Sequence, residues 1–146
     1  MPEVDPAQLS SEGLDTLLGV RTVRASADEV VLEYDIDHRH RQPYGIVHGG
    51  MHCLVVESAC SIGAGFFARQ SGKSVVGVEN HTSFIRAVRS GRVTVTATPI
   101  TRGRRSQVWE ATSRDSAGVT LSTGRVRLLC LDADAELAGE TVGQRG

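Results

Sequence analysis

The sequence predicts an α+β fold in which a long helix packs against an antiparallel sheet, and three observations carry that prediction. The run from Gln42 to Ala68, QPYGIVHGGMHCLVVESACSIGAGFFA, holds a single charged side chain, Glu57, among apolar, small and neutral polar residues. Downstream the pattern changes to period two, in stretches rich in Val, Thr and Ile that break at glycines. No internal repeat or linker divides the 146 residues, a length that suits one core without disulfides or a structural metal.

Taken in chain order, Leu9, Leu14, Leu17 and Leu18 indicate a short amphipathic helix, with Ser10 or Ser11 placed to cap its start. EVVLEYDID then sets Val30, Leu32, Tyr34 and Ile36 against Val31, Glu33 and Asp35, the alternation of a half-buried strand. A polar loop, HRHRQPYG, is punctuated by Pro43 and Gly45, and Gly49-Gly50 lets the chain turn tightly into the long apolar segment. From Gly50 to Ala68 the spacing of Leu54, Val55, Ala59, Ile62 and Phe66 fits a helix of about five turns, buried all round. KSVVGVENHTSFIRAV, GRVTVTATPITRG, SQVWEATSRDSAG and VTLSTGRVRLLCL read as a meander of antiparallel strands. The domain is assigned to residues 1–131, and 132–146, with little to bury, to a loosely held tail.

Composition narrows the classes. A net charge of −1 argues against a protein that coats nucleic acid. The acidic, polar start MPEVDPAQLSSEG has no signal-peptide pattern, and the 3 cysteines include no C-x-x-C pair, which together predict a reduced, cytoplasmic protein. The uninterrupted apolar pieces fall far short of the roughly 20 residues of a membrane span. Charge is nevertheless uneven: from Asn80 to Trp109 there is no Asp or Glu, while Arg86, Arg89, Arg92, Arg102, Arg104 and Arg105 all fall in that window. Such a cluster is either a solvated basic face or a dock for a phosphorylated small molecule.

Chemistry concentrates around Glu57. A carboxylate in an apolar helix costs stability unless it is hydrogen-bonded or used. Ser61 follows at i+4 on the same face. The helix start at His48-Gly49-Gly50 offers free N–H groups and a positive dipole end, suited to an oxygen that gains negative charge. The Gly50 N–H and the Glu57 carboxylate are separated by roughly 10 Å along the axis, so one helix cannot bring both to one carbonyl. Two helices antiparallel across a two-fold axis can, in a homodimer with two equivalent sites. His48 and His52, with His38 and His40 in the loop, form too weak a pattern for a metal site. Cys53 and Cys60 read as packing residues, and Glu79, His81 and Ser83 as one face of a strand.

Together, QPYGIVHGG, VVESACSIGAG, VVGVENHTSFIRAVRSGRV and GRRSQVWE, in that order, resemble the hotdog-fold acyl-CoA thioesterases over about Leu18 to Leu131. The likeness is to the branch that holds the Arthrobacter-type 4-hydroxybenzoyl-CoA and the 1,4-dihydroxy-2-naphthoyl-CoA thioesterases. The resemblance implies the hotdog fold, a curved antiparallel sheet wrapped around a long helix, in homodimers and commonly homotetramers. It implies Glu57 as nucleophile or general base, Gln42 and His48 orienting the thioester, the Gly50 N–H polarising its carbonyl, and Ser61 assisting Glu57 and water. Arg86, Arg89, Arg104 and Arg105 would meet the nucleotide end of coenzyme A, with His81 and Phe84 also near substrate. Phe84 stands where the naphthoyl-CoA enzymes carry histidine, and His52 and Cys53 replace smaller residues. The expected reaction is hydrolysis of an aryl- or hydroxyaryl-CoA without cofactor or metal. Medium-chain acyl-CoA hydrolysis, non-catalytic acyl-CoA binding and a hotdog hydratase are the alternatives.

Overall fold

In the computed structural model, which describes residues 12–142, the central run forms a helix, α2, over Gly49–Arg69. It starts where the sequence places the glycine pair. His48 is extended (φ −63°, ψ 137°), and its ring accepts the Gly50 N–H as an N-cap. It stops in a Schellman motif: Gly72 adopts φ 70°, its N–H reaches the Arg69 carbonyl at 3.0 Å, and the Lys73 N–H reaches the Ala68 carbonyl at 3.0 Å. Preceding it are a one-turn helix, α1 (Leu14–Leu17), two strands, β1 (Arg21–Ala25) and β2 (Val30–Asp35), and a 3-10 turn at His38–His40. Then come β3 (Ser74–Phe84), β4 (Arg92–Arg102), β5 (Ser106–Arg114) and β6 (Thr120–Leu131).

These six strands form one antiparallel sheet in the order β1-β2-β4-β5-β6-β3. The expected meander holds for β4, β5 and β6. β3 and β4, consecutive in sequence, lie apart, because β3 crosses to pair with β6 and becomes an edge strand. Inward residues alternate as period two demands: Val93, Val95 and Ala97 on β4, Trp109 and Ala111 on β5, Ser122, Gly124, Val126 and Leu128 on β6. Extra residues in β1, β3, β4 and β6 add the local bends that let the sheet curl around α2, which is the hotdog arrangement. Pro99 is tolerated in β4 because β2 ends opposite Ala97, leaving Pro99 with a neighbour on one side only.

Composition predicts a helix buried all round, and the structure instead leaves one face half-open. Met51, His52, Val55, Val56, Ala59, Cys60, Gly63 and Ala64 pack against the sheet, while Cys53, Leu54, Glu57, Ser58, Ser61 and Ile62 stay half-open. Two buried, two open, two buried is the repeat of one wide stripe on a rod of 3.6 residues per turn. The helix is long and apolar enough to cross a membrane by length and composition alone, but its packed stripe here meets β2, β3, β4, β5 and β6. Other expectations differ in detail. α1 spans a single turn with Gly13 at its N-cap, and Leu9, Ser10 and Ser11 lie outside the described residues. The segment after Leu131 carries a small hairpin, β7 (Glu136–Leu137) with β8 (Glu140–Thr141).

Close approach of helix and sheet depends on Gly63. A Cβ there would stand 2.4 Å from the ring of Trp109, whose own N–H is taken by Gln107 Oε1 at 2.8 Å. In an open helix Gly→Ala gains about 1 kcal/mol. Here overpacking, typically about 1–3 kcal/mol, opposes that gain. Gly63→Ala is therefore expected to lower the urea midpoint of unfolding rather than raise it.

Candidate functional site

Glu57 projects from the half-open stripe of α2, so its carboxylate meets a cleft, not solid core. Asn80 Nδ2 donates to Glu57 Oε2 at 3.0 Å, and Ser61 Oγ stands 3.4 Å from Oε1, at the long limit of a hydrogen bond. Oε1 rests over the backbone of Gly77, where a Cβ would stand only 2.1 Å away. The cavity beyond, about 940 Å³, is walled by Leu14, Val20, Leu54 and Ile62, with Asp15, Thr16, Cys53 and Asn80 also on its surface. Ser58 Oγ donates to Asp15 Oδ1 at 2.8 Å and so ties α1 to α2 across this space. A largely apolar chamber, with the Glu57 carboxylate of α2 in its side wall and Glu12 and Asp15 also on its lining, accepts a largely apolar molecule and presents a base or nucleophile to it.

The start of α2 is the second centre. His48 Nδ1 accepts the Gly50 N–H at 2.7 Å, which fixes the proton of a neutral ring on Nε2. The Gly50 amide, expected to face a carbonyl, is thus occupied by the histidine cap. The adjacent Gly49 N–H has no hydrogen-bond partner among the described residues. Phe84, at the end of β3, lies against this turn: a Cβ on Gly49 would stand 2.4 Å from its ring, and it stacks at 5.8 Å on the buried His52. Gln42 shapes the loop ahead, its Oε1 accepting from the Tyr44 N–H and its N–H reaching the Ile46 carbonyl at 2.9 Å. Gln42, His48, Gly49, Gly50 and Phe84 therefore gather at one end of α2, while Glu57 and Ser61 sit further along it.

The histidines do not converge. His48 is exposed and His52 buried, and among the described residues no group of three or more His, Cys, Asp or Glu comes together to hold a metal. His40 is buried, its Nδ1 accepting the Asp37 N–H at 2.9 Å and its Nε2 donating to the Leu18 carbonyl at 2.7 Å. It fastens the N-terminal segment to the loop before α2. Cys60 lies in the core, where burial first, then Glu57 and Glu110, push its thiol well above the ordinary range. Cys53 faces the cavity.

The arginines separate as well. Arg89 Nη1 donates to the Tyr44 carbonyl at 2.7 Å, which places Arg89, with Arg86 close by, beside the start of α2. Arg104 borders a smaller pocket of about 190 Å³ with Phe67 and Ala68, at the far end of α2, and Arg105 is next to it. The helix is roughly 30 Å long, so one copy does not bring the two pairs to one phosphate. Arg92 and Arg102 are engaged, with Asp35 at 2.9 Å and Asp28 at 2.8 Å. Glu79, His81 and Ser83 do share a strand face, but it is the outer one: they pair opposite Arg127, Arg125 and Thr123 on β6. His81 thus lies on the opposite side of β3 from Glu57.

Asn80 and Gly77 were not singled out by sequence, and strict alternation explains why: it puts positions 77 and 80 on opposite faces. The register slip between Gly77 and Glu79 pairs Gly77 with Leu128 and Asn80 with Val126, both inward positions, so both come to Glu57. An isolated glycine inside a strand pattern is the available signal, since it marks a bulge or a close approach.

Comparison with known proteins places this geometry. Residues 44–122 match the Thioesterase superfamily. The Mycobacterium tuberculosis protein Rv1847 is 38% identical over 121 residues, covering 82% of this chain and 86% of its own. Its solved structure superposes with a TM-score of 0.80. The proofreading thioesterase EntH of Cronobacter turicensis is 35% identical over 109 residues, 75% of this chain and 79% of that one. The solved thioesterase HI1161 of Haemophilus influenzae is 33% identical, with a TM-score of 0.80, covering 86% of this chain and 87% of that one.

Burial holds the His52 imidazole below its ordinary value of 6.5. The folded state then binds fewer protons at His52 than the unfolded chain, so this residue leaves stability unchanged above about pH 6.5 and lowers it as pH falls below that. His52→Leu is expected to flatten this acid-side decline, read as the difference between mutant and wild-type urea midpoints across about pH 5 to 8.

Proposed function

The chain belongs to the thioesterase superfamily, and we propose that it hydrolyses an acyl-CoA thioester, of the aryl or hydroxyaryl class, to free acid and coenzyme A. The observation that carries the reading is the carboxylate of Glu57, held at the wall of an apolar chamber instead of in the core. The chamber takes the acyl group. The thioester carbonyl lies at a helix start, its oxygen toward the Gly49 N–H, joined by the Gly50 N–H when the His48 ring turns away, with Gln42 orienting the group. Glu57 either takes the proton of an attacking water or attacks the carbonyl carbon itself. The C–S bond then breaks and coenzyme A leaves as the thiol, taking up a proton; on the second route water then cleaves the acyl–Glu57 anhydride, which releases the acid and restores the carboxylate. Neither route calls for a metal or a cofactor.

Because α2 is one unbroken helix, its start and Glu57 remain roughly 10 Å apart within a copy. The reading therefore places the carbonyl donors of one protomer against Glu57 of its partner, in a two-fold homodimer that pairs further into a homotetramer. The open stripe of α2 beside the free edge of β3 supplies the surface for that pairing. The similarity to EntH, a thioesterase, favours the reaction class. A cytoplasmic location fits the three free cysteines.

Thiol release from a panel of aryl-, naphthoyl- and straight-chain acyl-CoAs, with wild type and Glu57→Ala in parallel, tests this. Turnover of one class that collapses about a hundredfold or more in Glu57→Ala is expected. Coenzyme A binding without turnover of any thioester would replace hydrolysis with a binding role. Gly77→Ala, which forces Oε1 off its seat, is expected to lower kcat about tenfold or more, since displacing a reacting group by an ångström costs that much.

A further inference from the structure

We propose that Asn80 is a positioning residue for Glu57: its side-chain amide holds Oε2 and leaves Oε1 as the reacting oxygen. The proposal rests on the reading of Glu57 as the reacting carboxylate. Asn80 Nδ2 donates to Glu57 Oε2 at 3.0 Å and to the Cys53 carbonyl at 3.1 Å. Thr82 Oγ1 donates to Asn80 Oδ1 at 2.6 Å. These partners fix the amide's orientation. A carboxylate and a carbonyl only accept, so the NH₂ must face them, and the Thr82 hydroxyl supplies the proton that the oxygen needs. Both N–H bonds are then used.

The two acceptors lie on one stripe of α2, since Cys53 and Glu57 are four residues apart. Asn80 thus clamps the carboxylate to the helix backbone beneath it. A Glu side chain on a half-open face has several rotamers, and fixing one before substrate arrives removes that entropy from the reaction step. The other oxygen is held loosely. Its one hydrogen-bond partner among the described residues, Ser61 Oγ, is 3.4 Å from Oε1, and the missing side chain of Gly77 makes the room that Oε1 occupies. The bulge that turns Gly77 and Asn80 to the same side thereby distinguishes two chemically equivalent oxygens, one bound and one available.

Asn80→Ala, Asn80→Asp and Thr82→Val test this against wild type and Glu57→Ala. Asn80 is solvent-accessible in a single copy but lies on the β3 edge beside the proposed pairing surface, so melting temperature and oligomeric state are measured for each variant alongside activity. Asn80→Ala should lower kcat about tenfold with KM within about twofold, and Thr82→Val should lower it less. Asn80→Asp sets a second carboxylate against the first and should move the acidic limb of the kcat profile to higher pH, a change that a merely structural role does not give. If Glu57→Ala is inactive while the Asn80 variants match wild type in kcat and in pH profile, the positioning role is overturned and the Glu57 reading stands. If Glu57→Ala retains full activity, both fall.

A readout without activity decides the contact by itself. In wild type the side-chain NH₂ resonances of Asn80 should shift with pH as the carboxylate titrates, and Glu57→Gln should abolish that response. Resonances that ignore pH in wild type would overturn the proposal even if no thioester in the panel is turned over.

Discussion

The division of α2 into a packed stripe and a half-open one is the constraint on which the rest of the molecule depends. Packing on the closed side is tight because glycine stands at the contacts: Gly63 under Trp109, and Gly124 of β6 under Val56, where a Cβ would approach to 2.8 Å. Core side chains at native density leave no slack for a helix to roll. The orientation of the open stripe is therefore set from behind. Glu57 points where it does because Val56 and Cys60 are seated in the core, and the distance from α2 to β3 is short enough for Asn80 to span it.

Electrostatics plays a smaller part in the fold than the arginine count suggests. Arg92 holds the Asp35 carboxyl below the usual carboxylate range, and Arg39 does the same to Asp37, chiefly through hydrogen bonds. These pairs sit in solvent, where each contributes little after screening and side-chain ordering. The buried polar contacts are more demanding. Removing His40 would leave the Leu18 carbonyl and the Asp37 N–H without the partner each has now, and unpaired polar groups away from water cost more than an exposed ion pair gains.

Much of the architecture was legible because its signals are local. The Val30–Asp35 alternation, the glycine breaks between strands, the long apolar run and the Glu57–Ser61 spacing each lie within a single element, and each corresponds to the feature that they predict. What escaped depends on relations between elements. Period two could not see that one extra residue at Val78 turns Asn80 inward. Composition could not tell a helix enclosed on every side from one with a face toward a cavity, since both are apolar. A window without acids grouped six arginines that the fold sends to both ends of α2 and to the sheet surface. His48 reads as a free ring beside a free amide in sequence, and the turn geometry joins the two.

The outer wall of the chamber is built differently from its floor. α1 and the chain around it touch the rest through few polar ties, Ser58 to Asp15 and His40 to Leu18 among them, while Leu14 and Leu17 stay largely exposed. Nothing in the helix–sheet core relies on those leucines. Substitutions in this segment can therefore reshape the chamber while Glu57 and its supports remain undisturbed. The volume of the chamber and the placement of the carboxylate beside it are thereby physically uncoupled, so a handful of tolerated surface mutations changes the one and leaves the other.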